Sequence, residues 1–330
     1  MKRLLMVLIC VLALGLTGAV AFAQEALTPA NAGQVTLLRT LEGHIDAVTA
    51  VAFSPEGDLL ASAGDDTSVR LWDTANGQQT DEQYEHLSFA KAVAFGPEGD
   101  LLASAGWDRR LLLWTVSGGT AAMNRVVEGF TAVIDRIAFS PDGDLIVFGV
   151  GDGVIRVADT VSGEIVQAFQ VNALQITDVA FSPDGALIAG AGGFPDTTVI
   201  LLDAATGEAI ASLTGHSGSA TALAFHPDGE ILASAGDDGT VRLWDVAGGT
   251  QVANLLQEDW VTDLAFSPDG NLLAVALQDG SVRLWDFAGR AEIAYIQAHA
   301  GVVTSVTFSP DGDLLATAGD DGLINLWGVN

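Results

Sequence analysis

The chain reads GHSGSATALAFHPDGEILASAGDDGTVRLWD from Gly215 to Asp245, and a further apolar run, QVANL, begins at Gln251. Short runs of aliphatic and β-branched residues alternate in this stretch with segments rich in Pro, Asp and Gly. Such segments interrupt extended structure and favour tight turns. The stretch therefore predicts four short strands joined by tight turns.

The same pattern recurs along the chain. Its central phenylalanine has a counterpart every 41–44 residues, at Phe53, Phe95, Phe139, Phe181, Phe225, Phe266 and Phe308. An aspartate follows thirteen residues later in six copies, and in the fourth copy Asp196 follows after fifteen. Repeats of this length indicate a repeat architecture. Sheets that are apolar on both faces bury them by packing between neighbours, and a closed ring leaves no sheet exposed.

The repeat resembles the WD40 family, through Gly215-His216 and the run ASAGDDGTVRLWD that ends at Asp245. The resemblance covers roughly residues 34–330 and implies an all-β, seven-bladed β-propeller with four antiparallel strands per blade. The last repeat ends after its third strand, whereas residues 34–40 have the pattern of an outer strand without a repeat of their own. We therefore expect the N-terminal strand to complete the last blade. The predicted organisation is a signal peptide (1–23), a short linker (24–33) and one propeller domain (34–330).

In WD40 repeats a buried network joins a His, a Ser or Thr, an Asp and a Trp, and the resemblance implies this network in four blades. Its members are His44, Ser62, Asp66 and Trp72 in blade 1; His86, Ser104, Asp108 and Trp114 in blade 2; His216, Ser234, Asp238 and Trp244 in blade 5; and His299, Thr317, Asp321 and Trp327 in blade 7. The register gives other residues in three blades: Phe130, Phe148 and Ala158 in blade 3, Asn172, Gly190 and Leu202 in blade 4, and Gln257 and Val275 in blade 6. His and hydroxyl are lost together there, as expected if half a buried polar network is worse than none. We expect these three blades to be the less stable ones.

Composition excludes several classes of function. The 13 Lys and Arg against 42 Asp and Glu give a net charge of −29, which excludes a nucleic-acid partner because that partner needs a cationic surface. The single cysteine, Cys10, rules out a disulfide framework and a Cys-ligated zinc site. Motifs for phosphate, dinucleotide, zinc or EF-hand calcium binding are missing from the sequence, although weak calcium binding by Asp-Gly turns stays open. Four sets of a hydroxyl residue (Ser in three, Thr in one), a His and an Asp stand in register beside tryptophans, which fits a scaffold better than a hydrolase. We expect a monomeric, non-enzymatic protein without a metal or cofactor.

The first 23 residues of the chain predict the cellular compartment of the protein. Lys2 and Arg3 precede an apolar run and the small-residue sequence Ala21-Phe22-Ala23. This order is typical of a bacterial-type secretory signal peptide, with cleavage after Ala23. An uncleaved anchor is the alternative, although the apolar run is short for a stable membrane span. We expect a secreted, periplasmic or cell-envelope protein without stable membrane insertion once the leader is removed.

Function on a repeat scaffold is expected where the copies differ. In WD40 propellers the narrow face carries partner contacts, at the positions three and five after the network His and directly before the network Asp. The candidate residues by register are Phe89, Lys91, Trp107 and Arg109 in or beside these positions of blade 2, Trp260 in blade 6, and Asp65 and Asp135 on the blades that flank blade 2. Exposed aromatic and basic residues are typical of interaction hot spots. We predict a protein or peptide partner with an acidic or aromatic segment; the alternative is a small ligand or glycan that stacks on Trp107 and Trp260.

Overall fold

The computed structural model describes residues 25–171 and 175–329; the predicted signal peptide and Asn172 lie outside the described residues. The described part consists of strands and one short 3₁₀ helix, Ala32–Gln34. The strands form seven four-stranded antiparallel sheets, which confirms the predicted seven-bladed propeller. No helix in this part has the length and hydropathy that a bilayer crossing demands.

The strands follow the repeats in order. Strand β1 is Thr36–Leu41. Blades 1 to 3 contain β2 (Val48–Phe53), β3 (Leu59–Gly64), β4 (Val69–Asp73) and β5 (Gln79–Gln83); β6 (Ala90–Phe95), β7 (Leu101–Gly106), β8 (Leu111–Ser117) and β9 (Thr120–Val127); and β10 (Ile134–Phe139), β11 (Leu145–Val150), β12 (Val154–Asp159) and β13 (Ile165–Gln170).

Blades 4 to 6 contain β14 (Ile176–Phe181), β15 (Leu187–Gly192), β16 (Val199–Asp203) and β17 (Ala209–Leu213); β18 (Ala220–Phe225), β19 (Ile231–Gly236), β20 (Thr240–Asp245) and β21 (Thr250–Leu256); and β22 (Val261–Phe266), β23 (Leu272–Leu277), β24 (Ser281–Asp286) and β25 (Ala291–Gln297). Blade 7 contains β26 (Val303–Phe308), β27 (Leu315–Gly319), β28 (Ile324–Gly328) and β1.

The turn between the first two strands of a blade shows why the Ser-Pro-Asp-Gly sequence recurs. In blade 3, the hydroxyl of Ser140 donates to Asp142 (2.5 Å) and accepts the backbone N–H of Leu145 (2.9 Å). Gly143 takes a φ of 77°, a left-handed conformation that favours glycine. The sequence thus specifies a tight hairpin between β10 and β11.

The core lies between adjacent blades. Ala61 and Leu71 of blade 1 pack against Leu102, Leu112 and Trp114 of blade 2, all of them nearly or fully buried. Comparable apolar clusters fill the other interfaces. Inner strands of consecutive blades are in contact round the whole ring, including β26 with β2. Both faces of each sheet are therefore buried, as the apolar composition predicts.

Strand β1 closes the ring. It pairs antiparallel with β28 at the outer edge of blade 7, one to two residues further along than residues 34–40. Leu41, at the end of β1, is 1% exposed and packs among residues of blades 1 and 7. The closure joins the first strand of the described chain to the last.

Residues 24–33 are predicted as a short linker. The part of this segment that the structure describes packs against the propeller. Glu25 bridges to Val329, and the backbone N–H of Leu27 donates to the carbonyl of Gly312 (2.8 Å). Leu27 and Ala32 are 2% and 1% exposed, in the apolar cluster of blades 6 and 7. Their apolar side chains explain the packing, since burial of a leucine contributes about 2 kcal/mol.

Candidate functional site

The repeated His, Ser, Asp and Trp of blade 1 meet as a buried network. His44 lies 3.0 Å from the carboxylate of Asp66 through Nδ1 and 2.7 Å from the Ser62 hydroxyl through Nε2. Trp72 Nε1 donates to the same hydroxyl at 2.9 Å. Burial alone raises the pKa of Asp66, but hydrogen bonds from His44 and Ser68 outweigh it and keep the pKa well below its ordinary value. The network is polar, yet every member has a partner.

The arrangement repeats in blades 2, 5 and 7. The His Nε2 atoms of these blades lie 2.8 Å from the hydroxyls of Ser104, Ser234 and Thr317. A Trp Nε1 donates to each of these hydroxyls at 2.8–3.0 Å. All three hydroxyl residues are 0% exposed. The buried hydroxyls therefore connect strands of one blade through the His and Trp side chains.

Blades 3 and 6 replace the network in different ways. In blade 3, Phe130 and Phe148 pack edge to face with ring centroids 5.2 Å apart. Arg156 there binds the retained Asp152 through two hydrogen bonds of 3.0 and 2.7 Å. In blade 6, Trp285 keeps its indole, but its buried Nε1 has no hydrogen-bond partner among the described residues. Blade 3 thus has an aromatic contact and an ion pair in place of the network, whereas blade 6 keeps the Trp without a partner for its indole N–H among the described residues.

The first strand of every blade carries a β-bulge. The register shifts by one residue near the start of each, as between Val48 and Ala50 in blade 1. A bulge turns the extra side chain out of the regular alternation. In each blade the extra residue occupies the fifth position after that of the network His, which is one of the positions at which the sequence analysis predicted partner contacts.

Five of the seven bulge residues are threonines that connect neighbouring blades. The Thr49 hydroxyl donates to the carbonyl of Ala90 in blade 2 at 2.7 Å, and the Thr221 hydroxyl donates to that of Val261 at 2.7 Å. Thr177, Thr262 and Thr304 make the corresponding bond. Only blades 2 and 3 differ, and there the bulge residues are Lys91 and Asp135.

The loop that enters the first strand and the loop between the second and third strands are bonded to each other in each blade. In blade 2, the backbone N–H of Trp107 donates to the carbonyl of Phe89 at 2.9 Å, and the same bond recurs in the other six blades. At Gly106 an added Cβ would lie 2.1 Å from that carbonyl, so only glycine allows this approach. These are the loops that the sequence analysis assigned to the narrow face, and they place Phe89 beside Trp107.

Five predicted residues form one contiguous group, which we call the blade 2 cluster: Asp65, Phe89, Lys91, Trp107 and Asp135. The rings of Phe89 and Trp107 lie 5.3 Å apart at a 46° tilt. The Lys91 ammonium lies 2.5 Å from Asp65, 5.3 Å from the Phe89 centroid and 4.9 Å from the Trp107 centroid. Trp107 Nε1 donates to Asp135 at 3.1 Å. The cluster thus spans blades 1, 2 and 3.

Arg109 and Trp260 lie apart from this cluster. Arg109 is exposed with a φ of 63°, and its side chain has no hydrogen bond or ion pair with any residue that the structure describes. The neighbouring Arg110 instead donates to the carbonyl of Glu85 at 2.8 Å. Trp260 is 53% exposed on blade 6, and its hydrogen bonds to described residues are those of its backbone. Neither residue thus shares a hydrogen bond or an ion pair with the blade 2 cluster among the described residues.

Two exposed residues on the same loops were missed by the sequence analysis. Ile45 and Leu87 follow His44 and His86 directly, and they are 87% and 79% exposed. Blade 5 has the polar Ser217 at this place. An apolar residue at a position that is polar in another repeat was the available signal. Both add apolar surface to the narrow face at blades 1 and 2.

The central channel is lined by a second group of residues that the sequence analysis missed, and this group includes charged side chains. Inner-strand residues of all seven blades line a cavity of about 420 Å³ there, and in six of the blades they include the residue that follows the bulge. Asp178 accepts the backbone N–H of Leu223 from the next blade at 2.6 Å, and Asp263 accepts that of Val306 at 2.9 Å. Burial raises the pKa of both carboxyls, to about 7 for Asp178. Arg136 Nε lies 3.9 Å from Asp178.

Metal binding finds no support in this arrangement. Within residues 25–171 and 175–329, no group of three or more His, Cys, Asp or Glu side chains is placed to ligate one ion. The two channel carboxylates are each engaged by backbone N–H groups.

Comparison with known proteins gives matches over both halves of the chain. Residues 133–330 match the family model described as IFT122 first beta-propeller, and residues 35–73 and 77–115 match the WD domain, G-beta repeat model.

An uncharacterized WD repeat-containing protein of Synechocystis, sll1491, is 30% identical over 158 residues, which are 47% of this chain and 44% of that protein. A subunit of chromatin assembly factor 1 from Mus musculus is 33% identical over 70 residues, 21% of this chain and 12% of that protein. Nuclear distribution protein PAC1 of Tuber melanosporum is 42% identical over 57 residues, 16% of this chain and 13% of that protein. The chain thus spans less than half the length of these curated relatives.

Proposed function

The chain belongs to the WD40-repeat β-propellers that these family models describe, and on that premise we propose that it is a non-enzymatic scaffold that binds a protein or peptide partner on its narrow face. The blade 2 cluster is the observation that carries the proposal. Phe89 and Trp107 expose 36% and 47% of their surface and lie beside fixed charges. Rigid aromatic side chains in such surroundings are the usual components of binding hot spots.

The fold does not require these rings. At the positions of Phe89 and Trp107, blade 1 has Ala47 and Asp65 and forms the same backbone bond between its loops. Exposed aromatic surface that a repeat does not need for folding is unfavourable in water unless a partner covers it. Large exposed apolar side chains on adjacent loops, Ile45 and Leu87, extend the same surface.

Two further observations support a scaffold over an enzyme. The buried Ser and Thr hydroxyls of blades 1, 2, 5 and 7 are bonded to both a His and a Trp, which leaves no free nucleophile in the networks. The similar protein from Mus musculus is named for its place in chromatin assembly factor 1, and a protein that is part of such a factor contacts other proteins.

The test compares exposed aromatic residues on two blades of one face. Wild-type protein, the double variant Phe89→Ala/Trp107→Ala and the control Trp260→Ala are immobilised and exposed to an extract of the producing cell. A partner recovered in stoichiometric amount is then titrated against all three by calorimetry. We expect the double variant to bind at least about 30-fold more weakly, the effect of losing one strong hot spot, and Trp260→Ala to bind like wild type.

Equal binding of all three proteins would contradict the placement of the partner on the blade 2 cluster. A panel of oligosaccharides is measured in parallel by thermal denaturation, because bound ligand raises the melting temperature. Stabilisation by one of them, lost in both Trp107→Ala and Trp260→Ala, would instead favour a glycan-binding propeller.

We also propose that the scaffold acts outside the cytoplasm. The support is the charged, apolar and small-residue order of residues 1–23. N-terminal sequencing of the protein from fractionated producing cells is expected to give Gln24 as the first residue, in the periplasmic, envelope or secreted fraction. A full-length cytoplasmic product would refute export.

A further inference from the structure

The blade 2 cluster already contains a cation of its own. The Lys91 ammonium lies about 5 Å from the centroids of both Phe89 and Trp107 and forms an ion pair with Asp65 at 2.5 Å. A positive charge over an aromatic face is attracted by the ring quadrupole, within about 6 Å of the centroid. Two rings and one carboxylate thus surround a single alkylammonium group.

The fold does not explain why a lysine occupies this place. Five blades have a threonine at the bulge, whose hydroxyl bonds the carbonyl of the first residue of the next inner strand. Lys91 has no hydroxyl to make that bond between blades, and its ammonium donates to Asp65 of blade 1 instead. The lysine replaces a contact between blades by contacts within an exposed aromatic group.

The charge of the protein favours a cationic ligand at this point. The chain has a net charge of −29 and only two lysines, Lys2 and Lys91. Asp65 and Asp135 flank the rings on the neighbouring blades, and Trp107 is fixed by its bond to Asp135. Negative potential over such a surface attracts cations and repels acidic segments. This differs from the acidic segment expected from the sequence, because the one basic group of the cluster is neutralised within the cluster.

We propose that Phe89, Trp107 and Asp65 form a binding site for an alkylammonium group, the lysine side chain of a partner segment, and that Lys91 occupies the site in the free protein. A partner lysine takes the place of the Lys91 ammonium, which moves out to solvent. This inference rests on the proposed function, since it names the chemistry that the narrow face recognises. Lys91 acts as an internal competitor that lowers the affinity for weak cationic ligands.

The experiment uses tetramethylammonium chloride as the probe and the indole N–H signals of the seven tryptophans as the readout. In ¹⁵N–¹H NMR spectra the Trp107 signal is assigned by its loss in Trp107→Phe. Wild type, Lys91→Thr and Lys91→Thr/Phe89→Ala are titrated at constant ionic strength. The last two have the same net charge, so a difference between them reports on the ring and not on general attraction.

We expect Lys91→Thr to bind the probe about tenfold more tightly than wild type, with a shift confined to Trp107, because the competing ammonium is gone. The added Phe89→Ala change is expected to abolish that shift, while the Trp260 signal stays constant in every protein. Lys91→Thr introduces the residue that five blades have at this position, which favours a folded variant. Lys91→Met, which keeps the stem and removes the charge, is the second variant.

Equal probe affinities for wild type, Lys91→Thr and Lys91→Met would overturn the proposal, as would a Trp107 shift that persists without Phe89. The partner-capture experiment with Phe89→Ala/Trp107→Ala is independent of this result. If the partner still depends on both rings, the scaffold function stands and only the ammonium site fails.

Discussion

Replacement of Asp178 by Asn tests how the channel carboxylates affect stability. Asp178 is 7% exposed and accepts the backbone N–H groups of Val179 and Leu223 at 2.8 and 2.6 Å. Burial raises its pKa to about 7; Arg136 opposes the rise and Asp263 adds to it. These two N–H groups donate to different carboxylate oxygens, so an amide at this position can accept only one of the two bonds. The variant therefore removes the charge and one hydrogen bond; the lost bond lowers stability by an amount that does not depend on pH, and the lost charge accounts for the pH dependence.

The sign of the effect follows from the direction of the shift. A carboxyl whose folded pKa lies above its unfolded value binds a proton more tightly in the folded state, so the free energy of unfolding falls as the pH rises. The window runs from the unfolded value of 3.8 to about 7. A difference of about three in pKa corresponds to about 4 kcal/mol of stability lost by pH 8, as an upper bound because Asp263 and Arg136 share the channel.

Urea denaturation at pH 5, 6, 7 and 8 measures this directly. The stability of Asp178→Asn relative to wild type is expected to rise progressively with pH, by up to about 4 kcal/mol between acid pH and pH 8. Asp152→Asn is the control without a trend: hydrogen bonds from Arg156 lower the pKa of Asp152, so this carboxylate is ionised in both the folded and the unfolded state from pH 5 to 8, and the variant should differ from wild type by a constant amount. A constant difference between Asp178→Asn and wild type at all four pH values would refute the reasoning, because it would mean that Asp178 does not titrate in this window.

Three further variants test the packing of the ring by urea denaturation. Leu41→Ala should lower the free energy of unfolding by about 2–5 kcal/mol, because Leu41 is 1% exposed where β1 closes the ring; a change below about 1 kcal/mol would contradict the closure. Ser62→Ala should cost about 2–4 kcal/mol, since His44 Nε2 and Trp72 Nε1 lose their shared partner; adding His44→Phe should then cost less than it does alone, and simple additivity would argue against a network. Thr49→Val should cost about 1 kcal/mol by removing the bond between blades 1 and 2, whereas an unchanged midpoint would show that this bond contributes nothing.

The repeated positions made the architecture predictable. The spacing of Phe53 to Phe308 gave the number of blades, and the unpaired outer strand ahead of the first repeat gave the closure, which the pairing of β1 with β28 bears out to within two residues. Both features depend on local sequence and on counting. The packing of Leu27 and Ala32 was not predictable in this way, because it depends on the surface that blades 6 and 7 present together.

The grouping of the blade 2 side chains was predictable in part, but their pairing with neighbouring blades was not. Register alone placed Phe89, Lys91 and Trp107 on one blade, and the structure brings their side chains together. The ion pair of Lys91 with Asp65 joins residues of two blades, so no pattern within one repeat reveals it. Arg109, in contrast, has no side-chain hydrogen bond or ion pair with any described residue, although it lies two positions from Trp107 in the sequence.

The sequence pattern did not predict the channel carboxylates, for a different reason. Side chains of a regular strand alternate between its two faces, and a bulge in each inner strand interrupts this alternation. The alternation therefore does not predict the face on which the residue after the bulge lies. That residue is Ala50 in blade 1, but Asp178 in blade 4 and Asp263 in blade 6. Comparison of this one column across the seven repeats would have shown the charges.

The pairing of β1 with β28 sets an order of events during biosynthesis. Thr36 and its partner Gly328 are 292 residues apart, so at 5–20 residues per second the ribosome needs roughly 15–60 s to deliver the second after the first. During that interval β1 has no β28 to pair with, and blade 1 lacks blade 7, which covers one of its sides in the closed ring. A nascent chain that stalls before residue 328 leaves an open sheet edge, which is a surface that chaperones and proteases recognise.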